Sequence, residues 1–421
     1  IPGAVLLVAL AVGTPARAQV AGPGSELSVQ LLTFGPGDQV WERFGHDAIW
    51  IHDPVRGTDW VYNYGIFDFN SPGYWRRFIK GNWIYQIGAA DIYQMLAEAR
   101  YFNRTLTAQE LRLTPAQKLE LQRFLNWNML PENREYLYDY YTDNCATRVR
   151  DALDRVLGGR LHAATADVPT SSTYRSQSRR FMAAEPVVYT ALDAGLGPAA
   201  DQQLSQWEEM FLPEKVAARI SELRVPGADG ELVPLVDRTR VLYEARGREP
   251  IPAEPPQWIP RYLLLGILIG GLIALLGGAA ARRTPGTRFA FSLVTVAWSL
   301  LMGVGGLLLV GLWAFTNHAI AYRNENLFQF TPLALPLVLL VPALVFGARW
   351  ARRPARVFAL AVAASSLLGF VLQALPWFDQ VNGQIVALVL PVNVALAWAV
   401  QKVTSHESRV TTSDLPSTRN A

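Results

Sequence analysis

The sequence predicts an α+β extracytoplasmic domain followed by an all-α transmembrane domain of about five helices. Three observations carry this. An apolar run near the start ends in a small-x-small pattern, strand-like alternation and helix-like periods intermix up to residue 247, and beyond a proline-rich stretch the chain is mostly hydrocarbon.

The run "GAVLLVALAVG", residues 3–13, is followed by "TPARAQ", in which Ala16, Arg17 and Ala18 precede Gln19. This pattern predicts a secretory signal peptide over residues 1–18. Its n-region is missing: the chain opens on Ile1 with neither methionine nor basic residues, so its start is expected to be truncated or mis-annotated. No cysteine follows the run, which excludes a lipoprotein precursor. Cys145 is the single cysteine and has no internal disulfide partner. An intermolecular bridge, an inert buried thiol or a reactive one is left.

Residues 45–65, "GHDAIWIHDPVRGTDWVYNYG", alternate around a turn containing Pro54 and Gly57 and predict a β-hairpin. Ile49 and Ile51 then face one side, and His46, Ala48, Trp50 and His52 the other. The run "GYWRRFIKGNWIY", residues 73–85, suits either lipid headgroups or an ordinary packed helix or strand. Residues 107–127 are expected to be helical, with Thr114 as N-cap and Pro115 opening the main part. After "YTDN" the apolar positions Ala146, Val149, Ala152, Leu153, Val156 and Leu157 keep a helical period that Gly158 and Gly159 end. Thr142 or Asp143 is the expected N-cap, which puts Cys145 in the first turn. Residues 184–223 are expected to be mainly helical, and "ELVPLVDRTRVLYEA" a terminal strand pair. The outer region therefore divides into a domain at 19–180, a helical and strand extension at 181–247, and a proline-rich linker at 248–261.

Five membrane spans are expected within 262–400: 262–281, 289–315, 333–347, 357–375 and 385–400. The third contains Pro336 and Pro342, the fifth Pro391. Arg282, Arg283 and Arg288 collect in the first loop, and Arg349, Arg352, Arg353 and Arg356 in the third, whereas 316–332 carries only Arg323. The positive-inside rule places the 401–421 tail in the cytoplasm and residues 19–257 outside it. Those arginines account for the net charge of +3, so no nucleic-acid partner is expected.

A thiol in a first helical turn sits at the positive end of the helix dipole, which is expected to lower its pKa and to supply N–H groups for an oxyanion. Asp143 opposes this, so a cationic partner is wanted, and His46 is the best placed. A third group is needed to hold the imidazole. Asn63 on the returning strand is the choice, with Asp68 and His52 behind it. The same cysteine in an arbitrary protein is a small buried hydrophobe, but export makes an unused thiol a liability. One cysteine and scattered histidines give no zinc spacing, no Gly-x-Ser-x-Gly turn occurs in the outer region, and no metal or cofactor is expected.

The stretches "RFGHDAIWIHDP", "DWVYNYGIFDF" and "YTDNCATRVRDALD" resemble the Lnb-type bacterial lipoprotein N-acyltransferases. Their outer domain is similar to circularly permuted papain-like enzymes such as lecithin:retinol acyltransferase, in which the histidine strand precedes the cysteine. The resemblance covers about residues 25–180, and extends more loosely to "TNHAIAYRNENLFQFTPL". It implies a permuted papain-like catalytic domain at 19–180, with Cys145 as nucleophile and His46 as base; the third member does not map. It implies acyl transfer from a phospholipid donor, through a Cys145 thioester, to the N-terminal amine of diacylglyceryl-cysteine in an apolipoprotein, at the inner membrane with the catalytic domain in the periplasm. The loop 316–332, with His318, Arg323, Asn324 and Asn326, is expected to meet a headgroup or the incoming lipoprotein. Two other readings compete: a membrane-anchored cysteine hydrolase, and a non-catalytic envelope scaffold or sensor.

Overall fold

In the computed structural model, which describes residues 22–227, 229–282 and 284–413, the outer domain is built on one large sheet. The expected signal peptide at 1–18 and the tail beyond 413 lie outside the described residues. The strands are β1 (Ser28–Phe34), β2 (His46–Asp53), β3 (Thr58–Ile66), β4 (Trp83–Asp91), β5 (Leu106–Leu111), β6 (Glu135–Tyr138), β7 (Pro169–Thr173), β8 (Gln203–Ser205), β9 (Arg224–Pro226), β10 (Leu232–Pro234) and β11 (Val236–Tyr243). Seven of them pair in the order β11-β5-β1-β2-β3-β4-β6, every pairing antiparallel. The helices of this domain are α1 (Tyr74–Lys80), α2 (Ile92–Tyr101), α3 (Pro115–Asn128), α4 (Cys145–Val156), α5 (Arg160–Thr165), α6 (Tyr174–Phe181), α7 (Pro186–Gly195), α8 (Gln206–Glu209) and α9 (Pro213–Glu222).

The hairpin of β2 and β3 separates two cores by its period of two. Ile49 and Ile51 pack with Val149 and Leu153 of α4, while Ala48 and Val61 pack with Phe34 and with Ile92 of α2. Both sides of the sheet are thus covered, which is why β1 is buried at four consecutive positions, 29–32, and not at alternate ones. Each fully buried aliphatic side chain there contributes roughly 1.5–3 kcal/mol.

Two expectations about elements are corrected. Residues 106–111 form β5, not the first part of a helix, because "LTAQEL" finds β1 on one side and β11 on the other. The helix begins at Pro115, where the Thr114 hydroxyl accepts from the Gln117 N–H. The strands in "ELVPLVDRTRVLYEA" do not pair with each other: β10 pairs with β9, and β11 joins the main sheet beside β5. The 181–247 segment therefore completes the sheet of the domain that precedes it.

The membrane region comprises α10 (Ile259–Ala281), α11 (Pro285–Phe315), α12 (Leu337–Val345), α13 (Arg352–Leu372) and α14 (Gly383–Ser413). Among the described residues, four helices are long and apolar enough to cross a bilayer. The expected third span is not a single helix: it is a pair, 325–334 and 337–345, bent by 47°. Pro336 stands at the break, and proline lacks the donor a continuous helix needs; α12 runs on through Pro342. Nine residues of α12 rise only about 13.5 Å, short of a roughly 30 Å hydrocarbon core. The irregular backbone before it is covered by protein. There Gln329 donates to the Ser366 carbonyl, and Asn393 donates to Ser366 Oγ and accepts from Trp298 Nε1. The fifth span continues through Pro391 as part of α14, and Gly266 on α10 leaves room for it: a Cβ at 266 would stand 2.5 Å from the Leu388 carbonyl oxygen.

Contacts with the outer domain decide which ends of these helices lie together. Asn324 Nδ2 donates to the Ala194 and Gly195 carbonyls, and Gln380 Nε2 to that of Leu196. Arg179 reaches the Val381 carbonyl while pairing with Asp193. Buried Arg175 ties the receiving segment together through Asp193, Asp201 and the carbonyls of Leu196 and Gly197. Both connections, 316–324 and 373–382, therefore lie at the outer-domain end. The start of α11 and the 346–351 connection lie together at the opposite end, with Arg288 over the Phe346 ring, so the bent pair runs from one end of the helix bundle to the other. The linker is docked as well, with Arg248 paired to Asp38 and Arg180 donating to the Pro252 carbonyl.

Candidate active site

Cys145 opens α4, and the cap of that helix is Asn144, not Thr142 or Asp143. Asn144 Oδ1 accepts from the N–H groups of Ala146 and Thr147 at 2.9 and 3.0 Å, while its Nδ2 donates to the Tyr140 and Phe211 carbonyls. Asparagine wins the position because only a side chain with both a donor and an acceptor satisfies this buried corner. Asp143 is turned away and pairs with Arg148. The first turn is thereby held rigid from its buried side.

The α4 N-terminus arrives where β2 begins. The backbone N–H groups of Asp47 and Ala146 lie against the thiol and favour its ionised form. Gly65 sits in a bulge between β3 and β4, with φ of +93°, and a Cβ there would stand 3.5 Å from that of Cys145. Gly45, φ +85°, has no room for a side chain: a Cβ would lie 2.7 Å from the Phe34 carbonyl oxygen.

His46 projects from the first position of β2, and its Nε2 lies 3.2 Å from Asn63 Oδ1. Asn63 Nδ2 donates to the Val61 carbonyl and points at the Met95 sulfur, so its oxygen is the end that faces the imidazole. The ring therefore donates from Nε2 and keeps Nδ1 free to accept a proton. Of the alternatives for the third position, Asp68 is exposed and accepts from the Asn70 N–H. His52 lies six residues along β2, about 20 Å away, and pairs with Asp59. Replacing Asn63 by alanine should slow the reaction of the Cys145 thiol with an activated short-chain ester about 10²-fold by releasing the ring. A single-turnover rate equal to that of the wild type would show that the ring is held by other means.

The electrostatics reverse one expectation. The Cys145 thiol is pushed up to about 12, chiefly by burial and then by the Asp47 carboxylate, and the two N–H groups offset this only in part. Helix-end placement alone argued for a lowered value; desolvation outweighs it here. His46 is pulled down to about 4, first by burial and then by the Arg104 charge, against the Asn63 hydrogen bond. Asp47 is itself raised well above the usual carboxylate range by burial. The resting site thus holds a neutral thiol and a neutral imidazole.

Arg104 is the group that sequence reading missed, since "YFNRTL" carries no motif. It is 5% exposed, donates from Nε to the Gly35 carbonyl, and lies over the Phe34 ring at 5.4 Å. Phe34 in turn stands 5.9 Å from the His46 ring. His46, Asn63, Arg104 and Cys145 line one cavity of about 900 Å³, within the range of small-molecule sites. Aromatic side chains form much of the remaining wall, including Phe67, Trp83, Tyr85 and Tyr138. Among the described residues, no group of three His, Cys, Asp or Glu side chains is arranged to hold a metal ion.

Part of the 316–332 loop reaches this cavity. His318 packs edge-on against Trp83 at 5.7 Å and, with Asn317 and Ile320, lines the wall. Asn324 and Asn326 are turned inward to the Ala194 carbonyl, so they anchor the loop and are withheld from a headgroup. Arg323 is exposed, with a left-handed φ of 56°.

Residues 17–180 match the family model described as the Lnb N-terminal periplasmic domain, and the cavity's His46, Asn63, Arg104 and Cys145 all fall inside the matched segment. Comparison with curated proteins and with solved structures gives no match.

Proposed function

We propose that this membrane protein, whose outer part matches the Lnb N-terminal periplasmic domain, is a cysteine acyltransferase of the bacterial inner membrane. It moves an acyl chain from a phospholipid to the N-terminal amine of diacylglyceryl-cysteine in apolipoproteins. The observation that carries this is the joint placement of Cys145, His46 and Asn63 in one apolar-walled cavity on the side that meets the membrane helices. The catalytic domain then lies in the periplasm. The arginines at the far end of the helices support a cytoplasmic C-terminus.

In the first half-reaction His46 Nδ1 takes the thiol proton as Sγ attacks the donor's ester carbonyl. The tetrahedral oxyanion is held by the Cys145 backbone N–H at the α4 start, since those of Ala146 and Thr147 are engaged by the Asn144 cap. Its collapse breaks the ester C–O bond, and His46 returns the proton to the departing lysophospholipid alkoxide. A Cys145 thioester is left. In the second, the free α-amine attacks this thioester, His46 takes the amine proton, and the C–S bond breaks as the proton passes to Sγ. The N-acylated lipoprotein leaves and the neutral thiol is restored. The aromatic wall favours an amine carried on lipid over water.

Mass spectrometry of lipoprotein N-termini in cells deleted for the protein tests this. Diacyl forms with a free amine are expected, and triacyl forms should return with the intact gene. Unchanged triacyl lipoproteins, with free fatty acid released by the purified protein, would assign it as a hydrolase instead.

A further inference from the structure

The run "GYWRRFIKGNWIY" has a place in the structure that the catalytic reading does not use. Its first part is α1, and three pairs of positions four apart divide its surface. Tyr74 and Phe78 line the cavity. Trp75 and Ile79 point outward, 62% and 65% exposed, with Trp75 also at the rim of the cavity. Arg76 and Lys80 are exposed beside them. An apolar stripe flanked by basic residues is the composition of a helix lying in a membrane interface.

Its position agrees. The Lys80 carbonyl accepts from the Asn317 N–H at 2.8 Å, and Asn82 Oδ1 accepts from Asn317 Nδ2. Asn317 is two residues beyond Phe315, the last residue of α11 and itself 76% exposed on a membrane helix. The C-terminal end of α1 is therefore pinned at the depth where a membrane helix ends. Phe69 stacks on Trp75 and Trp41 packs edge-on against Phe69; both, 47% and 57% exposed, line the cavity that contains Cys145.

We propose that α1 is an interfacial gate: its Trp75–Ile79 face lies in the outer leaflet, and the aromatic mouth beside it admits an acyl chain of a glycerophospholipid sideways from the bilayer toward Cys145. The bilayer is the occupant that fits, because the face is continuous with the lipid-facing end of α11 and carries cations suited to lipid phosphates. The destination of the chain rests on the acyl-donor reading above.

Two measurements on the full-length protein in phosphatidylethanolamine–phosphatidylglycerol vesicles test it. In a Cys145→Ser background, Ile79→Cys supplies the only thiol for a nitroxide label, whose collisions with oxygen and with a water-soluble nickel chelate report depth. Collisions dominated by oxygen are expected; collisions dominated by the nickel chelate overturn the gate. In the second measurement Ile79→Glu should slow Cys145 acylation from vesicle phospholipid about 10-fold, through the cost of a charge in the leaflet. Acylation by a soluble short-chain ester should be unchanged, and Ile79→Leu should behave as wild type with both donors. Equal rates with both donors in Ile79→Glu, or an equal fall with both, overturn the proposal. A wild-type thiol that takes no acyl group from phospholipid would instead overturn the acyl-donor reading, and the nitroxide depth would still decide where α1 lies.

Discussion

Cys145→Ser should abolish acyl transfer, with a loss of about 10⁴-fold or more in turnover. The serine hydroxyl is a far weaker nucleophile than the thiol, and the neutral His46 beside it is not basic enough to compensate. The chain holds no second cysteine to take over. The substitution itself is mild, because serine nearly matches cysteine in size and Asn144 still caps α4 through Ala146 and Thr147. The variant should therefore fold, insert and fail to accumulate an acyl adduct by intact-mass measurement. In a deletion strain it should leave lipoprotein N-termini as free amines. Full restoration of N-acylation by Cys145→Ser would rule out the thioester and favour a scaffold.

His46→Ala should cost about 10²–10⁴-fold, the usual weight of a general base. The pH dependence is the sharper measurement. An imidazole depressed to about 4 is neutral, and so able to accept a proton, at every pH above that value. A thiol raised to about 12 is protonated at every pH below it. The reactive neutral pair therefore persists between the two, and the acylation rate should be flat from about pH 5 to pH 8, without the fall near 6.5 that an ordinary histidine would give. Below about pH 4 the ring charges and the rate should drop. Iodoacetamide, which needs preformed thiolate, should alkylate Cys145 slowly at pH 7, with a rate rising about tenfold per pH unit. A bell-shaped profile centred near neutrality, with rapid alkylation at pH 6, would show a thiolate–imidazolium pair.

How legible the site was depended on how local the signal is. Cys145 and His46 could be chosen because a lone exported thiol at a helix start, preceded by a strand histidine, is a pattern along the chain. Asn63 could be offered, because the hairpin brings its strand back past His46, but its partner atom depends on the register Ala48 opposite Asn63. Arg104 could not be found: it reaches the cavity from the segment before β5, whose strand character was itself misread. "LTAQEL" carries no strong period, and its two neighbours in the sheet, β1 and β11, come from far along the chain. The cap was misplaced by one or two residues because Thr142, Asp143 and Asn144 are all good caps in isolation. Only the Tyr140 and Phe211 carbonyls, brought together by packing, select the asparagine.

By itself the sequence determined the division into an α+β outer domain and a helical membrane domain, because hydrophobic period and span length are properties of a chain segment. It also determined which arginines gather at one end of the helices and which residue types are able to do thiol chemistry. Tertiary structure alone decided the sign of the thiol's pKa shift, since burial and the neighbouring Asp47 outweigh a helix end that any local reading would favour. It decided likewise that the third span is broken yet runs the length of the helix bundle, because only contacts at 324 and 380 with the outer domain show where its neighbours end. Desolvation and long-range contact depend on what surrounds a residue in space, and sequence proximity does not carry that information.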